Sequence, residues 1–372
     1  MNIGDIPAGL ILFFILYGIT GVVPAIAAVY LLMRRANAVV PGVTPPLRLR
    51  RWTASFFVVV ALAHVWWLLF FIYSGDLHST AYLVLVMVDC MLLFVTFAGM
   101  LLAMLQDRRR PVWPALVTMI PFVALWGAVM AFPSKLFVQI TAAYLVLIGL
   151  LFTVHMIFAI RQYGRWLNDN YADLENKKVW LCQAVALVCM LMFVLYVLAT
   201  DMVLIWFIHI IELVLVGLLL WRVETLPRLD SMPTKEAEPS PSNPLTSSPS
   251  NPLTFTIDLA QIEQLLKEHC VDTLLYLQHD LSLQDLAQAI GTNRSYLSQY
   301  FSRQSTTYNT YINNLRVNHF ISRYGKLVAA GQSVVAQELA YECGFGSYRT
   351  FSRAFTQRTG QSVTAWMGQS TE

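Results

Sequence analysis

The chain has 372 residues, a length that accommodates two or three domains of about 150 residues each. Its hydrophobic fraction of 57% and charged fraction of 13% lie far from the averages of about 45–50% and about 25% in soluble domains, which argues against an ordinary soluble enzyme. The net charge of +3 names no nucleic-acid or membrane-surface partner by itself, because local biases of opposite sign cancel in a total.

Seven apolar windows, each about as long as the roughly 20 residues a helix needs to cross a bilayer, precede residue 222. They fall near 9–33, 53–74, 81–105, 112–132, 136–160, 179–199 and 202–221. The first has no Lys or Arg before it, is too long for a signal peptide and is followed by Arg34 and Arg35. It reads as a retained helix. Only the stretch around Thr200 and Asp201 separates the last two windows, which leaves a tight hairpin or a shifted boundary there.

Lys and Arg in the connecting loops set the orientation, since basic loops stay cytoplasmic. Alternate loops carry Arg34, Arg35, Arg48, Arg50 and Arg51, then Arg108, Arg109 and Arg110, then Arg161, Arg165, Lys177 and Lys178, with Arg222 and Arg228 after the last window. The opposite side holds Lys135 alone. The N-terminus is therefore expected outside and the C-terminus in the cytoplasm, as an odd number of crossings also requires.

Polar residues at membrane depth are His64, Asp89, His155, His209 and Glu212, and such groups are rare enough in lipid to mark functional positions. Asp89, His155, His209 and Glu212 are the candidate sensor or ligand residues; His209 and Glu212, three apart, share a face of the last helix. The competing reading is hydrogen bonding that holds the helices together. Cys90, Cys182, Cys189, Cys270 and Cys343 include no CxxC pair, so neither a disulfide framework nor a zinc site is expected. The chain also lacks HExxH, GxSxG and Walker-type patterns. Accordingly no catalytic residue, cofactor or metal is assigned, and the protein is not read as an enzyme.

Residues 227–254 change character, with Pro227, Pro233, Pro239, Pro241, Pro244, Pro249 and Pro252 among Ser, Thr and Asn. The heptapeptide SPSNPLT occurs twice there, at 240–246 and 248–254, a low-complexity duplication. This is a disordered spacer, reaching from about 30 Å as a coil to about 90 Å extended, or a Pro-rich recognition segment.

Helical periodicity returns at Ile257, with Asp258 as a cap and Leu259, Ile262, Leu265, Leu266, Leu274, Leu275 and Leu277 on one or two amphipathic helices. An internal repeat follows. Leu286-Ala287, Gly291, Leu297 and Phe301 recur as Leu339-Ala340, Gly344, Phe351 and Phe355, and a helical stretch from Tyr308 to about Tyr324 joins the copies. Each copy spells helix, glycine turn, helix: the small alanine lets two helices cross closely, and the glycine takes a positive φ that other residues resist. Ser282 with Asp285 forms a capping box, and Asn293 and Ser347 can cap the second helices. Residues 256–290 have a net charge of −5 and residues 291–360 of +6, so the repeat-bearing segment is the basic one, as phosphate neutralisation requires.

The run LSLQDLAQAIGTNRSYLSQYFSRQ…YINNLR…ELAYECGFGSYRTFSRAFTQRTG resembles the DNA-binding domain of AraC/XylS-type transcriptional regulators over residues 270–368, most specifically at Gly344, Phe345, Phe351, Phe355 and Gly360. The resemblance implies two helix-turn-helix units on a central helix, each placing its second helix in a successive major groove. It also implies base-facing Ser295, Ser298 and Gln299, with Arg294 and Ser302 near phosphates, and Tyr348, Arg349, Thr350, Ser352 and Arg353 in the second unit. Ser295, Ser298, Gln299 and Ser302 share a polar face by spacing alone. The sequence departs from the family at Ser305, where a glycine is usual, at Val363, where a proline is usual, and at Trp366-Met367, where Tyr-Arg is usual.

The expected architecture is all-α: a seven-helix transmembrane bundle over 1–226, the linker over 227–254 and a cytoplasmic DNA-binding domain over 255–372. The expected protein is a multi-pass inner-membrane transcription regulator of a bacterium that senses a signal through its bundle. Its expected partners are promoter DNA, the lipid bilayer, RNA polymerase, a small-molecule or peptide signal and a second copy of the chain. Two alternatives stand beside it: a transporter or channel with a regulatory tail, and a regulator passively anchored in the membrane.

Overall fold

The apolar windows before residue 226 fold as helices whose ends follow local turn chemistry. In the computed structural model, which describes residues 8–33, 37, 39–40, 43–76, 79–132, 134–174, 177–198, 202–229 and 259–369, these are α1 (Ala8–Met33), α2 (Leu47–Tyr73), α3 (Thr80–Met104), α4 (Trp113–Val117), α5 (Met119–Ala131), α6 (Lys135–Asn170), α7 (Trp180–Leu198) and α8 (Met202–Thr225). Ser79 caps α3 by accepting the Tyr82 N–H. The fourth window is divided between α4 and α5 at Thr118, whose hydroxyl donates to the Ala115 carbonyl at 2.8 Å, a local bond that competes with regular helix. The fifth continues past residue 160 to Asn170, making α6 36 residues long. Among the described residues, six spans are long and apolar enough to cross a bilayer, counting 113–131 as one; Trp180–Leu191 is a shorter apolar helix. The linker from residue 230, the Asp258 cap, Arg34 and Arg35, and the Thr200–Asp201 connection lie outside the described residues.

The chain divides into two compact units: Met1–Tyr163 with Val179–Met232, and Gly164–Lys178 with Pro233–Glu372. In the first, α1 packs on α2 and α8, α2 on α3 and α8, α3 on α5, and α7 on α8. Phe57 and Met100 are fully buried, and Cys90, Phe122 and Ile148 join α3, α5 and α6 in one cluster. Gln106, just after α3, donates to the Pro227 carbonyl at 3.0 Å and accepts the Leu229 N–H at 2.9 Å, tying down the chain that leaves α8. The outer surface is apolar: Leu12, Phe14 and Ile72 are each more than half exposed. Long helices with so much exposed apolar surface are what membrane insertion calls for.

The second unit is helical, with no strand among the described residues and one isolated backbone bridge between Tyr171 and Ser282. Its helices are α9 (Leu259–Leu266), α10 (Leu283–Ala289), α11 (Arg294–Arg303), α12 (Tyr308–Ala329), α13 (Ala336–Glu342), α14 (Tyr348–Thr359) and α15 (Val363–Gln369), with a wide turn at Lys267–Val271 after α9. Two cores form. Ile262, Leu266, Leu286, Ala287, Leu297, Phe301 and Ile312 build the first, and Val317, Phe320, Leu339, Ala340, Phe345, Phe351 and Phe355 the second. α12 supplies residues to both, and extends beyond the expected end near Tyr324 to Ala329.

Candidate nucleic-acid interface

Each helix-turn-helix is built by the chemistry its repeat encodes. Ser282 and Asp285 make the reciprocal capping box that starts α10, and Ala287 is buried where α11 crosses. Gly291 turns the chain at φ +69°. Asn293 then caps α11 by accepting the Ser295 N–H. In the second copy Gly344 has φ +88°, and a Cβ there would sit 2.5 Å from the Leu277 carbonyl oxygen, so this glycine answers both a backbone and a space requirement. Ser347 caps α14 through the Thr350 N–H, and Gly360 closes it at φ +76°.

The buried faces of α11 and α14 leave their other faces to solvent. On α11 Leu297, Tyr300 and Phe301 point inward, while Ser295, Ser298, Gln299 and Ser302 are exposed. On α14 Phe351 and Phe355 are in the core; Arg349 and Arg353, one turn apart, are exposed. The three remaining α14 positions are half-buried. Tyr348 packs on Phe351, with ring centroids 5.7 Å apart, and Thr350 takes part in the cap, its hydroxyl accepting from Ser347 at 3.1 Å. Ser352 completes the group. Arg294 is half-buried, and its guanidinium donates to Asn170 Oδ1, Nε at 3.0 Å and the second nitrogen at 2.5 Å.

The family departures have local explanations. Ser305 follows α11 at φ +51°, a left-handed conformation in which glycine is the unstrained residue. Val363 opens α15, the first helical position, where a proline is well tolerated. Trp366 packs on Tyr324 and Phe355 at centroid distances of 5.2 and 5.4 Å.

Charge along the sequence overstates the exposed basic surface by two residues, Arg316 and the half-buried Arg294. Arg316 is fully buried; its Nε donates to the Tyr276 carbonyl at 2.7 Å, another nitrogen to the Gln278 carbonyl at 2.8 Å, and its guanidinium lies 5.7 Å from the Phe345 ring centroid. Burial lowers its pKa from the usual arginine value, without taking it out of the charged form. It braces the connection between the two cores. Arg303, Arg323, Lys326, Arg349, Arg353 and Arg358 remain exposed.

The second unit also includes a segment that residue spacing does not announce. Ala172 is fully buried in the first helix-turn-helix core. Asn309 donates to the Tyr171 and Ala172 carbonyls at 3.0 and 2.6 Å, Asn313 donates to the latter at 3.2 Å, and Lys177 pairs with Asp280 at 3.0 Å. Only the two asparagines, polar residues at inward helix positions, hint at this partner in the sequence.

Of the sensor candidates in the first unit, the fold brings His209 and Glu212 of α8 to His64 of α2. His64 Nε2 lies 3.8 Å from Glu212 Oε2, the two imidazole centroids are 5.7 Å apart, and the Tyr17 hydroxyl donates to the His64 carbonyl at 2.7 Å. Asp89 on α3 is buried and accepts the Trp67 indole N–H at 2.5 Å. His155 on α6 is exposed, outside that cluster. His64 carries no spacing signal linking it to α8, since α2 and α8 are far apart in the chain.

Residues 286–369 match a protein family described as a helix-turn-helix domain. The C-terminal domain is thus of the AraC/XylS type, a DNA-binding regulatory family and not an enzymatic one. No curated protein and no solved structure matches the chain.

Proposed function

Taking an AraC/XylS-type helix-turn-helix domain at the C-terminus as the premise, we propose that the chain is a one-component transcription regulator held in the inner membrane of a bacterium. Its N-terminus lies outside, its apolar helices cross the bilayer, and its C-terminal domain reads promoter DNA in the cytoplasm. The observation that carries this reading is the presence, in one chain, of apolar helices with lipid-compatible outer faces and two reading helices with polar outer faces.

α11 and α14 enter successive major grooves. Ser295, Ser298 and Gln299 face bases from α11, with Arg294 and Ser302 toward phosphates. Tyr348, Arg349, Thr350, Ser352 and Arg353 form the α14 surface. An arginine pairs bidentately with guanine O6 and N7, and a glutamine with adenine N6 and N7. Short serines make α11 the weaker reader and leave more of the discrimination to α14. The signal is received in the bundle, where the cluster of His64, His209 and Glu212 is the favoured position; a ligand acts by binding one packing of these helices better than another. A second copy of the chain and RNA polymerase are the expected protein partners.

The test is selection of genomic DNA fragments by the full chain in lipid nanodiscs, at two salt concentrations, with R349A and R353A in parallel. A motif spanning two adjacent major grooves is expected, and each substitution should weaken binding by about 1–3 kcal/mol and relax one position of the motif. Failure of the folded chain to enrich any sequence would remove the reading and favour a transporter with a partner-binding tail.

A further inference from the structure

We propose that residues 164–174, the last turns of α6 and the stretch that follows it, form a cover that sets Asp169, Asn170 and Asp173 on the first helix-turn-helix, and that DNA must displace it before α11 can read. This rests on the DNA-binding reading above. The cover belongs to the same compact unit as the reading helices, so its contacts are part of that unit's own fold.

Three contacts place it on the DNA side. Asn170 accepts two N–H donors from Arg294, the residue assigned to a phosphate at the start of α11. Asp169 lines one hollow with Ser298, Ser302, Ser305, Thr306 and Thr307, two of which are assigned DNA-facing positions. Asp173 Oδ2 lies so close to the Cα of Gly346 that a Cβ there would collide with it, just ahead of the Ser347 cap of α14. Two carboxylates thus stand beside surfaces that would receive phosphate oxygens, and a phosphate approaching either meets like charge. The seat itself is apolar and hydrogen-bonded, through buried Ala172 and the Asn309 and Asn313 amides.

The experiment measures DNA affinity, its salt dependence and the hydroxyl-radical footprint for the full chain in nanodiscs, using the motif enriched above. Wild type is compared with D169N, N170A and the double variant, with R349A as the control for reading by α14. Release of the cover should raise affinity about three- to tenfold and extend protection over the α11 half of the site. It should also steepen the slope of log affinity against log salt by about 0.9, one phosphate newly neutralised. Unchanged or reduced affinity in both single variants, with wild-type helicity and melting, would overturn the cover while leaving the DNA-binding reading in place. If no chain binds any sequence, the regulator reading fails and the cover fails with it.

Discussion

Individual side chains divide into those that build the helix-turn-helix and those that face outward from it, and the two glycine turns show how differently equal-looking residues are constrained. Gly291 has a positive φ with open space around it, whereas Gly344 adds a backbone carbonyl 2.5 Å from where a Cβ would lie. Gly291→Ala should therefore cost only the left-handed penalty, about 1–2 kcal/mol. Gly344→Ala should cost more, because Leu277 is backbone and yields only by displacing the turn before α10. Urea unfolding of both variants, with amide exchange of α13 and α14, checks the order; equal losses would show that the turn relaxes freely. Arg316 makes the complementary point: its sequence neighbourhood reads as part of a basic surface, yet its guanidinium is spent on two carbonyls in the interior.

Among the elements, α12 is decisive because it is shared by both cores, Ile312 in one and Phe320 in the other. A helix of 22 residues keeps the same register at both ends, which fixes α14 relative to α11 more firmly than a loop would. Caps then set where each reading helix begins. Ser347→Ala removes the acceptor of the Thr350 N–H and should destabilise α14 by about 1 kcal/mol, lowering exchange protection at its first turn and weakening DNA binding. Asn293→Ala should affect α11 in the same way while α14 stays protected. The capping serine and asparagine were legible from the sequence because capping is local: it depends on residues two or three apart. The division of α4 from α5 at Thr118 and the length of α6 were not, since nothing in an apolar run marks where a helix pauses or how far it continues.

At the scale of the whole molecule, the second unit draws on chain that precedes it by about 80 residues, and its stability should register this. A soluble fragment of residues 255–372 lacks Ala172 and the carbonyls that satisfy Asn309 and Asn313. Joining residues 164–178 to it through a flexible linker should raise its thermal midpoint by about 5–10 °C, the equivalent of roughly 1–2 kcal/mol in a domain of this size. Identical midpoints would mean that the segment is a passenger on the surface.

What the sequence determined by itself is everything carried by short-range pattern: the apolar windows, their helical state, the repeated turn glycines and alanines, the caps, and the AraC/XylS-type character of residues 286–369. These follow from interactions between residues a few positions apart, so period and spacing encode them directly. Tertiary structure alone decided the rest. It brought His64 to His209 and Glu212, buried Arg316, and placed Ala172 in the first helix-turn-helix core with Asn170 on Arg294. Those pairings join positions some 40 to 150 residues apart, and such contacts are set by how whole helices pack, which no local spacing records.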